Sequence, residues 1–142
     1  MAISSKGRYA LRMLVDLAQQ EGEEYVSLQS ISERQNISKK YLEQIATLLT
    51  KSHLLSVARG KQGGYQLTKA PEEISVADVL SATEGTMASA PCTIAQQGEC
   101  NSCGEDCSVY PVWRNLDSMV QDYLGGISIR DLMNSKNGTA GI

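Results

Sequence analysis

The apolar positions of this chain fall mostly into helical stripes, each opened by a small polar residue. In SSKGRYALRMLVDLAQQEG, Leu11, Leu14, Val15 and Ala18 recur at helical spacing, with Ser4 or Ser5 as the cap and Gly22 as the stop. SLQSISERQ reads as a short helix, Ser27 capping and Leu28 and Ile31 facing inward. Asn36 follows, a residue that tolerates the left-handed backbone of a tight turn. Ser38 then caps a third helix whose inner face is Leu42, Ile45, Leu48 and Leu49. Two helices joined by so tight a turn predict a helix-turn-helix, although Asn36 stands where glycine is commoner.

The rhythm then changes. LLSVAR and YQLTK are β-compatible and flank the basic, glycine-rich GKQGG, which predicts a hairpin, or wing. SVADVLSATEG returns to helix: Ser75 and Asp78 have capping-box spacing, Val76, Val79 and Leu80 face in, and Gly85 ends it. A later helix over residues 109–124 carries the wide apolar stripe Val109, Val112, Leu116, Met119, Val120, Tyr123 and Leu124. Pro111 is tolerated only within its first turn. SIRDLM is a short capped turn using Ser128 and Asp131, and NSKNGTAGI a frayed tail. The expected fold is mainly α. Residues 1–85 form a winged helix-turn-helix, 86–108 a cysteine-rich loop, 109–133 a long helix and a short capped helix, and 134–142 a tail.

Composition adds direction. The 142 residues are 42% hydrophobic but lack Phe, so the core is built from Leu, Ile, Val and Ala. No apolar run approaches the roughly 20 residues that span a bilayer, and MAISSKGRYA has no signal-peptide apolar region. A cytoplasmic protein with no membrane partner is expected. The net charge of −3 hides a division: residues 1–69 carry ten Lys/Arg against six Asp/Glu, and residues 70–142 three against ten. The basic half suits a polyanion.

A helix-turn-helix inserts its second helix into the DNA major groove N-terminus first. That end here holds Ser38, Lys39, Lys40, Tyr41, Glu43 and Gln44. The lysines suit phosphates or guanine edges, Glu43 the cytosine amino group and Gln44 adenine. Lys, Glu and Gln are also good helix formers and would equally suit a solvated face. The wing weighs against that reading: Arg59, Lys61, Gln62 and Gly63 lie on a turn whose glycines admit close backbone approach. Lys6, Arg8 and Arg12 lie near the first helix start and could meet phosphates. One winged helix reads few base pairs, so a homodimer on a double-stranded operator is expected, joined through the helix over residues 109–124.

All four cysteines lie in one stretch, Cys92, Cys100, Cys103 and Cys107. In a reducing compartment clustered thiols point to metal or redox chemistry rather than structural disulfides. Thiolates select zinc, Cu(I) or iron–sulfur clusters. A four-thiolate zinc site usually shows two CxxC knuckles, and only one is present. Spacing alone leaves an iron–sulfur cluster, zinc and metal-free thiols all open. Cys107 precedes the long helix, whose N-terminal dipole favours its thiolate. The lone histidine, His53, reads as a structural or surface residue. A redox enzyme built on Cys100 and Cys103 would call for a βαβ pattern, which is missing. No other catalytic constellation is present, so the protein is expected not to be an enzyme.

SSKGRYAL, ISERQNISKKYLEQI, LLSVARGKQGGYQL and the cysteine loop followed by VWRNL, in that order, resemble the IscR-type, or Rrf-two, family of bacterial regulators over residues 1–133. The resemblance implies a homodimeric winged-helix transcription regulator, DNA contacts from Ser38, Lys40, Glu43 and the wing from Arg59 to Gly63, and an iron–sulfur cluster in the loop, with [2Fe–2S] placed ahead of [4Fe–4S]. It also implies Cys92 and Cys107 as outer ligands. The family includes a cysteine-metabolism repressor with no cluster, which keeps zinc or a thiol switch as the alternative. Its cluster-binding type adds a histidine three residues after the last cysteine, where this chain has Tyr110. Another branch uses an acid near the start of the first helix, where this chain has Arg8. Cys103 is then the candidate fourth ligand, or a spare. The gap from Cys92 to Cys100 is longer than the family's, so the middle assignment stays open.

Overall fold

A computed structural model of the chain describes residues 2–20, 24–94 and 107–135. Six α-helices and one two-stranded sheet form a winged helix: α1 Ser5–Gln19, α2 Leu28–Gln35, α3 Lys39–Lys51, β1 Leu55–Ala58, β2 Gly64–Leu67, α4 Val76–Glu84, α5 Tyr110–Gly125 and α6 Ile129–Asn134. Local sequence explains most boundaries. The hydroxyls of Ser4, Ser27, Ser38, Ser75 and Ser128 each accept the backbone N–H three residues on, at the starts of α1, α2, α3, α4 and α6. Such a cap is worth about 1 kcal/mol over alanine. Of the two candidates for α1, Ser4 is the cap. Asn36 takes φ 54°, the left-handed turn between α2 and α3. The expected stop at Gly22 lies outside the described residues.

β1 and β2 pair antiparallel, Leu55 opposite Leu67 and Ala58 opposite Gly64. At the turn, Gly63 N–H donates to the Gly60 carbonyl at 3.0 Å. A Cβ on Gly63 would stand 2.2 Å from the Ala58 carbonyl oxygen, so the turn closes only around glycine. Val26, just before α2, exchanges two backbone hydrogen bonds with Tyr65, 2.9 and 2.8 Å, and straps the wing to the helix-turn-helix.

The core gathers Met13, Leu14, Ile31, Leu42, Ile45, Leu49, Ile74, Val79 and Ile129. Leu48, expected inside, is half-buried. Ile129 belongs to α6, so the chain comes back to the winged helix after α5: Val76 N–H donates to Ile127 O and Ile129 N–H to Ile74 O. The outlier is α5, none of whose residues is buried.

One polar side chain is sealed in this core. Asp16, 2% exposed, accepts from Arg34 through Nη2 at 2.7 Å and Nε at 3.0 Å, and from Gln35 Nε2 at 2.9 Å. A carboxylate this deep requires partners, and removing one side of such a pair costs several kcal/mol. Arg34 keeps access to water, so Asp16→Ala is expected to cost about 3 kcal/mol, the low end of the range for a broken buried pair. Urea denaturation at neutral pH measures it, and a loss below about 1 kcal/mol would show the pair to be dispensable.

Candidate nucleic-acid interface and thiol site

The basic residues expected at a polyanion surface are brought to three places. On α3, Ser38 is held by its cap, accepting from Tyr41 N–H at 3.1 Å, while Lys39, Lys40, Glu43 and Gln44 are exposed. On the wing, Arg59, Gly60, Lys61 and Gln62 are exposed on the turn closed by Gly63. On α1, Arg8 is exposed and Lys6 half-buried.

Aromatic contact joins the first and third of these. The Tyr9 ring meets Tyr41 edge-on, centroids 5.7 Å apart, which sets the start of α1 beside the start of α3. The Arg8 and Arg12 guanidinium carbons lie 5.9 and 5.5 Å from the Tyr9 ring centre. Arg12, considered from sequence as a phosphate contact, is exposed and donates to Gln35, to its side chain at 3.2 Å and to its carbonyl. It serves to hold α1 against α2. Arg8 reaches no further than the Ser5 hydroxyl at 3.0 Å.

Between the wing turn and α2 lies an open polar cleft of about 570 Å³, lined among others by Ser27, Ser30, Arg34, Lys61 and Gln62. Arg34 drew no attention in the sequence, since its role depends on Asp16, eighteen residues away. The hydrogen bond to Asp16 raises the Arg34 pKa and outweighs the opposing effect of burial, and the guanidinium lines this cleft. The one sequence signal for Asp16 was an acid set among Met13, Leu14 and Leu17 on an inward-facing helix. His53 is exposed at φ 61°, in the turn that ends α3.

Of the four thiols, Cys92 and Cys107 are described, both free and half-buried. Cys100 and Cys103 lie outside the described residues. Cys92 sits in a 3-10 turn, Pro91–Thr93, packed against α5. Cys107 stands just before that helix, and its carbonyl accepts the Tyr110 N–H at 3.3 Å. Among the described residues no three His, Cys, Asp or Glu side chains converge to hold a metal ion.

A further acid, absent from the sequence reading, holds the Cys92 side of the loop. Asp117 on α5 accepts the Ser89 N–H at 2.8 Å. Burial pushes its carboxyl up, but hydrogen bonds from Ser89 and Thr93 outweigh burial and leave it below the usual aspartate range.

The outer face of α5 is apolar and open. Val109, Val112, Leu116, Met119 and Tyr123 are exposed, Met119 at 68%, and they follow the alternating three-and-four spacing of a coiled-coil seam. Beside the seam, Ile3, Leu80, Met87, Val120 and Leu124 help line a purely apolar groove of about 430 Å³. Among the described residues no helix is long and apolar enough to cross a membrane.

Comparison with known proteins agrees with this architecture. A family profile described as Rrf2, iron-dependent transcriptional regulator, matches residues 3–135. The HTH-type transcriptional regulator IscR of Pectobacterium carotovorum is 39% identical over 136 residues, 96% of this chain and 81% of that protein. IscR of Aliivibrio salmonicida is 41% identical over 133 residues, 94% and 77% of the two chains. Among solved structures, CymR, the global cysteine regulator of B. subtilis, matches with TM-score 0.78 at 30% identity, covering 96% of this chain and 99% of that one. T. potens IscR matches with TM-score 0.73 at 33% identity, covering 97% and 90%. These relatives are regulators rather than enzymes, and the chain belongs to the Rrf2 family as an IscR-type, DNA-binding transcription regulator.

Proposed function

We propose that the DNA binding of this regulator is set by an iron–sulfur cluster held in the cysteine loop. The observation that carries the reading is the placing of Cys92 and Cys107: two free, half-buried thiols on the two sides of the loop, Cys107 just before α5 and Cys92 in a turn packed against the same helix. Soft thiolates suit iron and sulfide. The iron-dependent description of the family and the IscR relatives support the same choice. Cys92 and Cys107 would be the outer ligands, with Cys100 and Cys103 supplying the rest. When bound, such a cluster supplies sensitivity to iron supply and to oxidants.

The chain's own parts divide the work. Residues 1–85 read DNA, 86–108 sense, and within 109–133 the long helix α5 joins two copies. Lys39, Lys40 and Gln44, with Ser38 and Tyr41, present the α3 end to base edges and phosphates, and Glu43 penalises wrong bases there. Arg59 and Lys61 on the wing, with Lys6 and Arg8 on α1, neutralise phosphates, while Gln62 and Gly63 bring the wing turn close to the DNA through an amide and the backbone. The seam of α5 pairs with that of a second copy, because each large apolar side chain left in water forgoes about 1.5–3 kcal/mol. Occupancy of the loop alters α5 and so the relative setting of the two reading heads. It shifts DNA affinity only as far as the cluster favours one setting over the other.

CymR, a cysteine regulator, supports a second reading, in which the thiols hold zinc or act without metal. Anaerobic treatment with iron and sulfide separates the two. A cluster chromophore is expected in the unsubstituted protein, lost in Cys92→Ala and Cys107→Ala. It should survive in whichever of Cys100→Ala and Cys103→Ala removes the spare thiol, if one is spare. A colourless protein with zinc at about one per chain, or with no metal, favours the second reading.

Met119→Glu places a charge in the middle of the seam. It is expected to turn a dimer into a monomer in analytical ultracentrifugation and to weaken operator binding by at least about tenfold, since a single head reads few base pairs. A dimer that survives this substitution would place the interface elsewhere.

A further inference from the structure

The two limbs of the cysteine loop are fastened to the same helix. The Cys107 limb is held at the first residue of α5, where Tyr110 N–H donates to the Cys107 carbonyl. The Cys92 limb is held seven residues on, at Asp117, and residues seven apart lie on one face of a helix. Both Tyr110 and Asp117 are half-buried there, on a different face from the exposed seam.

The Cys92 limb has several bonds. Ser89 N–H donates to Asp117 Oδ1 at 2.8 Å, and the Ser89 hydroxyl reaches the Trp113 carbonyl at 3.4 Å. The Thr93 hydroxyl donates to the Ala90 carbonyl at 2.8 Å and closes the turn that holds Cys92. Pro91 and the 3-10 turn stiffen what lies between. Cys92 therefore lies in a short turn whose start, at Ser89, is fastened to α5 by one carboxylate. An aspartate inside a helix is a poor helix former, so helix propensity gives no reason for it at this position.

We propose that Asp117 is the positioning residue of the thiol site: by clamping residues 89–93 to α5 it fixes where the Cys92 thiol stands relative to Cys107, and it ties the state of the loop to the helix that carries the seam. This rests on the reading of the loop as a ligand site given above. The clamp itself, however, is a property of the protein with or without bound metal. Among the described residues no hydrogen bond joins Asp117 to Cys92 or Cys107. It acts through the backbone N–H of Ser89, three residues before Cys92. A charged acceptor for a backbone N–H is among the stronger hydrogen bonds available, so its loss is expected to free the arm measurably.

The test uses full-length Asp117→Ala and Asp117→Asn. In anaerobic, metal-free protein, alkylation of each thiol by iodoacetamide is followed by peptide mass spectrometry, and amide exchange is followed over residues 88–94. Asp117→Ala is expected to speed Cys92 alkylation and exchange across residues 89–93 by about tenfold, with Cys107 changed less than about twofold. Asp117→Asn keeps an acceptor for Ser89 N–H and should fall between. After loading with iron and sulfide, loss of the visible circular dichroism under a chelator should follow the same order. Unchanged Cys92 alkylation in Asp117→Ala overturns the proposal. So does an equal rise at Cys107, which would mean general loosening. If the unsubstituted protein takes up no cluster, the cluster reading fails, while alkylation and exchange still decide the role of Asp117.

Discussion

A carboxylate buried in a small helical core must be answered by donors, and the way Asp16 is answered sets the geometry of the reading head. Arg34 meets it with two nitrogens and Gln35 with a third. Both partners lie in the last turn of α2, immediately before the left-handed Asn36 and the start of α3. The network therefore fixes α2 against α1 at the end where the turn begins. Arg12 adds its own bonds to Gln35, and Tyr9 touches Tyr41 on the other side of the turn. Apolar packing alone would hold the three helices together with some freedom to slide. The directional bonds remove that freedom, which a head that must match base edges to within a fraction of an ångström cannot tolerate.

Much of this was readable from the chain because it is written locally. A serine three residues ahead of the N–H it caps, an asparagine at a left-handed turn and a glycine-rich hairpin all act through near neighbours, and α1 to α4, α6 and the wing appear where those signals stand. The long stripe of α5 was likewise plain from Val112, Leu116, Met119 and Tyr123. The couplings between elements were not. Asp16 and Arg34 are eighteen residues apart, and Ser89 and Asp117 twenty-eight. Nothing in either local sequence announces the other. The same blindness hid the bonds from Arg12 to Gln35, twenty-three residues on. It also hid the return of α6 to the winged-helix core through Ile129.

The thiol loop occupies the junction of these two kinds of information. Its four cysteines are conspicuous in the chain, yet what makes them useful is how the ends of the loop are held. Cys107 leads directly into α5, and the Cys92 arm is hydrogen-bonded to the second turn of the same helix. On the reading proposed here, α5 has two faces with separate duties. One carries the loop through Tyr110 and Asp117, and the other carries an apolar seam suited to a second copy. A change in what the thiols hold would then reach the dimer seam through one rigid element, and reach DNA through the heads attached to it. The physical requirement is only that the bound state prefer one setting of α5.

That coupling is the central claim, and the direct measurement is DNA affinity of one anaerobic preparation with and without its cluster. Duplexes chosen by the protein from a random-sequence pool serve as probes, at fixed salt because phosphate contacts make affinity salt-dependent. The account predicts that affinity, or the sequences chosen, differ between the two forms by about tenfold or more, within the ordinary range of coupling between sites. Equal affinity and equal sequence choice, with the cluster fully present in one form and fully absent in the other, would contradict it.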